Sequence, residues 1–62
     1  MKLIEVLKVA YPNDNVILID NRSGKRVWQG LSNDVYEYGK YDNWDVKGIR
    51  AGDEVLIVDI EE

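Results

Sequence analysis

The stretch Glu54-Val55-Leu56-Ile57-Val58-Asp59-Ile60 limits the fold more than any other part of this chain. Five of its seven residues are apolar, four of those are β-branched, and a turn-like Ala51-Gly52-Asp53 precedes it. So short a run, so rich in Val and Ile, reads as a strand. Apolar groups on both of its faces place it inside a sheet rather than at an edge. Val16-Ile17-Leu18-Ile19 repeats that character. The rest of the chain is then what buries these two strands.

Sixty-two residues make one small domain, residues 1–62, near the size at which a single core only just outweighs chain entropy. With no Cys, neither a disulfide nor a thiolate-bound metal supports it, and nothing points to an oxidising compartment. The apolar and charged fractions, 45% and 32%, are those of a globular chain. The N-terminal Met1-Lys2-Leu3-Ile4-Glu5 carries an acid within its apolar pattern, and no apolar run approaches the ~18 residues of a membrane span. A cytoplasmic protein with no membrane partner is the expectation.

Residues 3–11 are predicted as a helix. At about 100° per residue, Leu3, Ile4, Val6, Leu7, Ala10 and Tyr11 share an arc of roughly 160°. Lys2, Glu5 and Lys8 lie opposite and only Val9 falls outside it. Tyr11-Pro12 ends the helix, since the residue before proline is pushed from the α region, and residues 13–15 make a turn. Residues 15–20 and 25–29 form a hairpin, with Gly24 supplying a left-handed residue in its loop. The second strand suits an edge because it is short and charged. Val27 is expected on one face, with Arg26 and Trp28 on the other. Residues 31–39 read as one or two helical turns with Ser32 as cap, Leu31 and Tyr36 as a staple, and Gly39 at the left-handed end.

Residues 44–50 form the third strand and pair with 54–60. Trp44, Val46 and Ile49 are spaced by two and then three, which breaks strand phase unless a bulge at Lys47-Gly48 restores it. The fold class expected is α+β: an N-terminal helix packed on a small, curled, mostly antiparallel four-stranded sheet, in the order helix, hairpin, short helix, hairpin. The alternative is a small β-barrel with an N-terminal helix. The two apolar strands belong in the middle, in the order second-first-fourth-third, with Leu56, Val58 and Ile60 toward the helix. Val55 and Ile57 then face away. Three arrangements would cover that second face: the short helix with its tyrosines, curling of the sheet, or a second copy. Curling together with the aromatic segment is preferred.

Net charge is −4, and it is uneven. Residues 1–30 hold five bases against three acids, whereas residues 31–62 hold three against nine. An acidic half repels phosphate, so nucleic acid is disfavoured as a partner; the remaining route would be Arg22, Lys25 and Arg26 at the first hairpin. The absence of His and Cys removes the usual triads, thiol nucleophiles and His/Cys zinc sites. Gly24-Lys25 lacks the rest of a phosphate loop, and Arg22 occupies a ligand position in the calcium-loop-like 20–24 stretch. Asp42 with Asp45 and Asp53 with Glu54 are carboxylate pairs, but glycoside chemistry also needs a cleft that so short a chain is poorly placed to build. No enzyme, cofactor or metal site is expected.

The informative segment is 34–45, where Tyr36, Tyr38, Tyr41 and Trp44 interleave with Asp34, Glu37, Asp42 and Asp45. Such rings supply contact area at low entropic cost and are enriched in binding hot spots. The plain alternative is that they cover an exposed sheet face. Base stacking would come with a basic groove, whereas the charges here are acidic. A basic protein surface is therefore the expected partner, with Tyr36, Tyr38, Tyr41, Trp44, Asp42 and Asp45 as contacts.

The pattern of residues 1–7, Val16-Ile17-Leu18-Ile19-Asp20, Val46-Lys47-Gly48-Ile49 and 55–60 resembles short uncharacterised proteins encoded by phages and prophages of Gram-positive bacteria. That resemblance implies a bacterial cytoplasmic setting and an accessory or inhibitory role. Two functions follow: a small acidic interaction protein of that type, or a structural subunit forming a homo-oligomer through the second face of its sheet.

Overall fold

A computed structural model describes residues 1–10 and 14–62. The elements run α1 (Leu3–Val9), β1 (Asn15–Asp20), β2 (Arg26–Leu31), α2 (Ser32–Tyr38), β3 (Asp45–Gly52) and β4 (Val55–Glu61). The four strands form one mixed sheet in the order β2-β1-β4-β3. β1 and β4 are parallel neighbours, in register from Asn15 opposite Val55 to Asp20 opposite Ile60. Each has an antiparallel hairpin partner at the sheet edge. The two strands with apolar side chains on both faces are central, as burial of both faces requires.

Alternation along the strands separates the faces. Val16 and Leu18 of β1, with Val58 and Ile60 of β4, are buried with Leu3 and Leu7 of α1 in one cluster. Leu56 and Val46 pack against it. The bulge expected in β3 is present: Val46 pairs with Ile60 and Gly48 with Asp59, which leaves Lys47 as the extra residue. Ile49 then falls opposite Val58, in phase with Val46. It nevertheless stays 48% exposed because it lies far along an edge strand.

β2 also carries a shift, between the pairs Leu18–Trp28 and Ile19–Arg26. Val27 and Trp28 therefore both pack against the core, rather than on opposite faces as strict alternation predicts. The Trp28 indole lies across Gly30, where an added Cβ would stand 2.7 Å from Cη2. In the first hairpin Gly24 adopts φ 73° and donates its N–H to the Asp20 carbonyl at 2.7 Å. The second hairpin is tighter than expected. β3 runs on to Gly52, β4 starts at Val55, and Glu54 takes the left-handed conformation at φ 57°.

α1 ends at Val9, short of the expected Tyr11, because Ala10 is an extended C-cap that donates its N–H to the Val6 carbonyl at 3.2 Å. The expected stop at Tyr11-Pro12 and most of the turn after it lie outside the described residues. Val9, the residue outside the apolar arc, is exposed. α2 starts one residue earlier than Ser32 as cap implies. Leu31 is its N-cap, with no side-chain cap, and Ser32 is a buried first-turn residue. The Ser32 N–H is held instead by the Asp14 carbonyl at 2.8 Å. Leu31 and Tyr36, expected as a staple, are both exposed. Gly39 ends the helix at φ 75°, donating to the Val35 carbonyl at 3.1 Å.

The second sheet face corrects two expectations. The sheet does not close: β2 and β3 are its two edges, which rules out the barrel. The aromatic segment does not cover the second face either, because Val35 of α2 and Tyr41 join the cluster that holds α1. A seven-residue helix covers only part of a four-stranded sheet, so α2 and the loop after it complete the same layer, over β2. Ile17, Ile19, Val55 and Ile57 alternate away from that layer and are half-buried, with no helix over them among the described residues.

Candidate functional site

The aromatic-acidic segment divides into a structural half and an exposed half. Residues 41–45 hold the start of α1, whose first amides have no partner within the helix. The Trp44 carbonyl accepts from Leu3 N–H at 2.9 Å, and the Asp42 carbonyl from Ile4 N–H at 3.0 Å. The same segment continues across an antiparallel bridge between Lys2 and Asp45, where Val46 N–H donates to the Met1 carbonyl at 2.8 Å. The Glu5 carboxylate closes the turn by accepting from Lys2 N–H at 2.9 Å, favourable near a helix N-terminus.

Within this half Tyr41 is a core residue, only 6% exposed. Its ring meets Trp44 edge-on at 5.0 Å, and its hydroxyl points at the Val27 carbonyl, 3.5 Å away. Lys40 Nζ lies 5.4 Å from the same ring. Trp44 is half-buried against the cluster. Asp45 accepts from Lys2 Nζ at 2.8 Å, and that hydrogen bond, with the lysine charge, lowers its carboxyl below the ordinary 3.8. Asp42 is half-buried, its Oδ1 shut off from solvent and without a hydrogen-bond partner among the described residues.

The exposed half is α2 itself. Val35 turns inward, which sends Asn33, Asp34, Tyr36, Glu37 and Tyr38 outward. Tyr36 is 42% exposed and Tyr38 is 56% exposed. Tyr38 is braced at its base by the Tyr41 ring, 6.2 Å away and edge-on, so it is presented on a fixed support. Tyr36 borders a shallow depression of about 240 Å³ between the two helices, lined also by Leu7, Lys8, Ala10, Ser32 and Asn33. Of the six residues predicted as contacts, two are thus presented to solvent on a helix and four serve mainly to hold that helix layer in place. Asp34 and Glu37, recognised in the sequence only as neighbours, stand beside the exposed rings.

A second depression, about 490 Å³, opens where β1 and β4 begin, between Asp14, Asn15, Glu54, Val55 and Leu56. It brings two carboxylates to one rim, but no cluster of three or more His, Cys, Asp or Glu suited to a metal ion forms among the described residues. No helix among them is long and apolar enough to cross a membrane. No family model, curated protein or solved structure matches this chain.

Proposed function

We propose that this is a non-enzymatic interaction protein of the cytoplasm that docks on a basic protein surface through α2. The observation that carries the reading is the outward pair Tyr36 and Tyr38, exposed on a helix whose other outward residues include Asp34 and Glu37. Amphipathic rings supply the desolvated contact, and the carboxylates steer a positively charged partner at long range. The role matches the accessory or inhibitory one implied by the phage-like pattern of the chain, with acidic groups standing where phosphates would bind.

Affinity capture from the source organism, followed by mass spectrometry, tests this directly. A partner with a basic surface is expected, held less strongly as salt rises. Tyr36→Ala and Tyr38→Ala are expected to weaken its capture at least tenfold while far-UV circular dichroism is unchanged. Undiminished capture by both variants would remove the proposal.

A further inference from the structure

The face of the sheet opposite the helices is a separate surface, and what covers it does not depend on the α2 reading. Ile17 lies level with Ile57 on the two central strands, Ile19 with Asp59, and Asn15 with Val55. Toward the edges the same rows continue into Leu31, Gln29 and Arg26 on β2, and into Gly52, Arg50 and Gly48 on β3. The result is an aliphatic centre with a border that is polar except at Leu31 and the two glycines.

We infer that a second copy of this chain covers this face, the two sheets stacking about a two-fold axis. The charge layout favours that occupant. Three carboxylates along the face and at the end of β4 are each met by a base of the same chain: Asp59 by Arg50 at 2.8 Å, Asp45 by Lys2 at 2.8 Å, and Glu61 by Arg22 at 3.8 Å. Arg26 donates to the Gln29 side chain at 2.6 Å. With those residues set aside, the rest of the chain holds nine acids against four bases. Two copies approaching through that remainder repel each other, whereas across most of this face, up to the rim that holds Asp14 and Glu54, the acids are already paired. A basic partner is drawn instead to the acidic helix side.

Size and the sheet edges agree with that occupant. The molecule's two long dimensions, 27 and 24 Å, set an outer limit of roughly 650 Å² on the projected area of this face, at the lower end of standard interfaces, which bury ~800 Å² per partner. Edge-to-edge pairing is opposed by the bulges in both edge strands and by Arg26 and Lys47 on them. Stacking places both helix layers on the outside, so the dimer displays two copies of α2. A bivalent partner would then gain avidity without new contacts.

Sedimentation equilibrium of the wild-type chain is expected to give a concentration-dependent dimer, and Ile57→Lys to weaken it about 100-fold or more by placing an unpaired charge at the centre. A mixture of ¹³C-labelled and unlabelled chain needs no substitution and covers the case in which that variant unfolds. It is expected to show intermolecular nuclear Overhauser effects at the Ile17, Val55 and Ile57 methyls. A wild-type chain that stays monomeric at several hundred micromolar overturns the inference, as does a dimer whose intermolecular contacts fall on α2 or a sheet edge. Loss of the dimer with partner capture intact would leave the α2 reading standing alone, and the reverse result would leave the dimer.

Discussion

The Tyr41 ring stands edge-on to the Trp44 ring at 5.0 Å, with an interplanar angle of 81°. Through this contact the loop that holds the start of α1 is joined to the floor on which α2 rests. Tyr41 is part of the core, and Trp44 carries the carbonyl that accepts from Leu3 N–H. The segment that looks from its composition like one interface is, in the folded chain, a support with a solvent-facing helix mounted on it.

Support and exposed helix separate by mutation. Tyr41→Ala empties a buried site and is expected to cost about 3–5 kcal/mol, most of the stability of a domain this small. Tyr36→Ala and Tyr38→Ala remove exposed rings and are expected to stay within about 0.5–1 kcal/mol of wild type. Urea unfolding followed by tryptophan fluorescence checks the contrast, and equal costs at positions 38 and 41 would contradict it.

Acid sensitivity should trace in part to Asp45. Its folded carboxyl is lowered from 3.8, first by the Lys2 hydrogen bond and then by the lysine charge. A group with a depressed folded pKa contributes stability that is fully present above its unfolded value and lost as pH falls through the folded one. Because the pair is solvent-exposed, its share is small. Asp45→Asn is expected to flatten the stability profile below about pH 4 and leave its shape at neutral pH unchanged, as read from midpoints of thermal unfolding across that range. An unaltered acid limb would separate Lys2–Asp45 from the acid response.

Glu54 holds φ 57° in the tight turn between β3 and β4. A non-glycine residue there costs roughly 1–2 kcal/mol, part of which glycine returns as entropy of the unfolded chain. Glu54→Gly is therefore expected to stabilise the domain by about 0.5–1 kcal/mol, raising its melting temperature by a few degrees. A lower melting temperature would show that the Glu54 side chain contributes more than its backbone costs.

Lys47 is the surplus residue of the β3 bulge, so its deletion leaves Val46 opposite Ile60 and Ile49 opposite Val58. The variant is expected to keep its circular dichroism but to aggregate faster, since removing the bulge and its charge leaves a flatter edge. Light scattering on warming measures this. Insertion of one residue after Lys47 shifts the phase by a further step and should unfold the chain.

Local periodicity in this sequence carries the elements and much of their arrangement. The apolar arc read over residues 3–11 specifies a helix there, of which Leu3–Val9 is α1. Val16–Ile19 and Val55–Ile60, apolar on both faces, must be central, from which the order β2-β1-β4-β3 follows. The spacing of Trp44, Val46 and Ile49 requires the bulge because a strand has a fixed period of two. Only the tertiary structure decides which face of the sheet α2 joins. Periodicity says which side of a helix is apolar, not which of two apolar sheet faces that side meets. The choice falls to packing: one seven-residue helix leaves the β2 half of its layer unfilled, and Val35 with Tyr41 fill it. That choice buries Tyr41, exposes Tyr38 and leaves Ile17 and Ile57 half-buried with no helix over them among the described residues, three outcomes that no spacing in the sequence records.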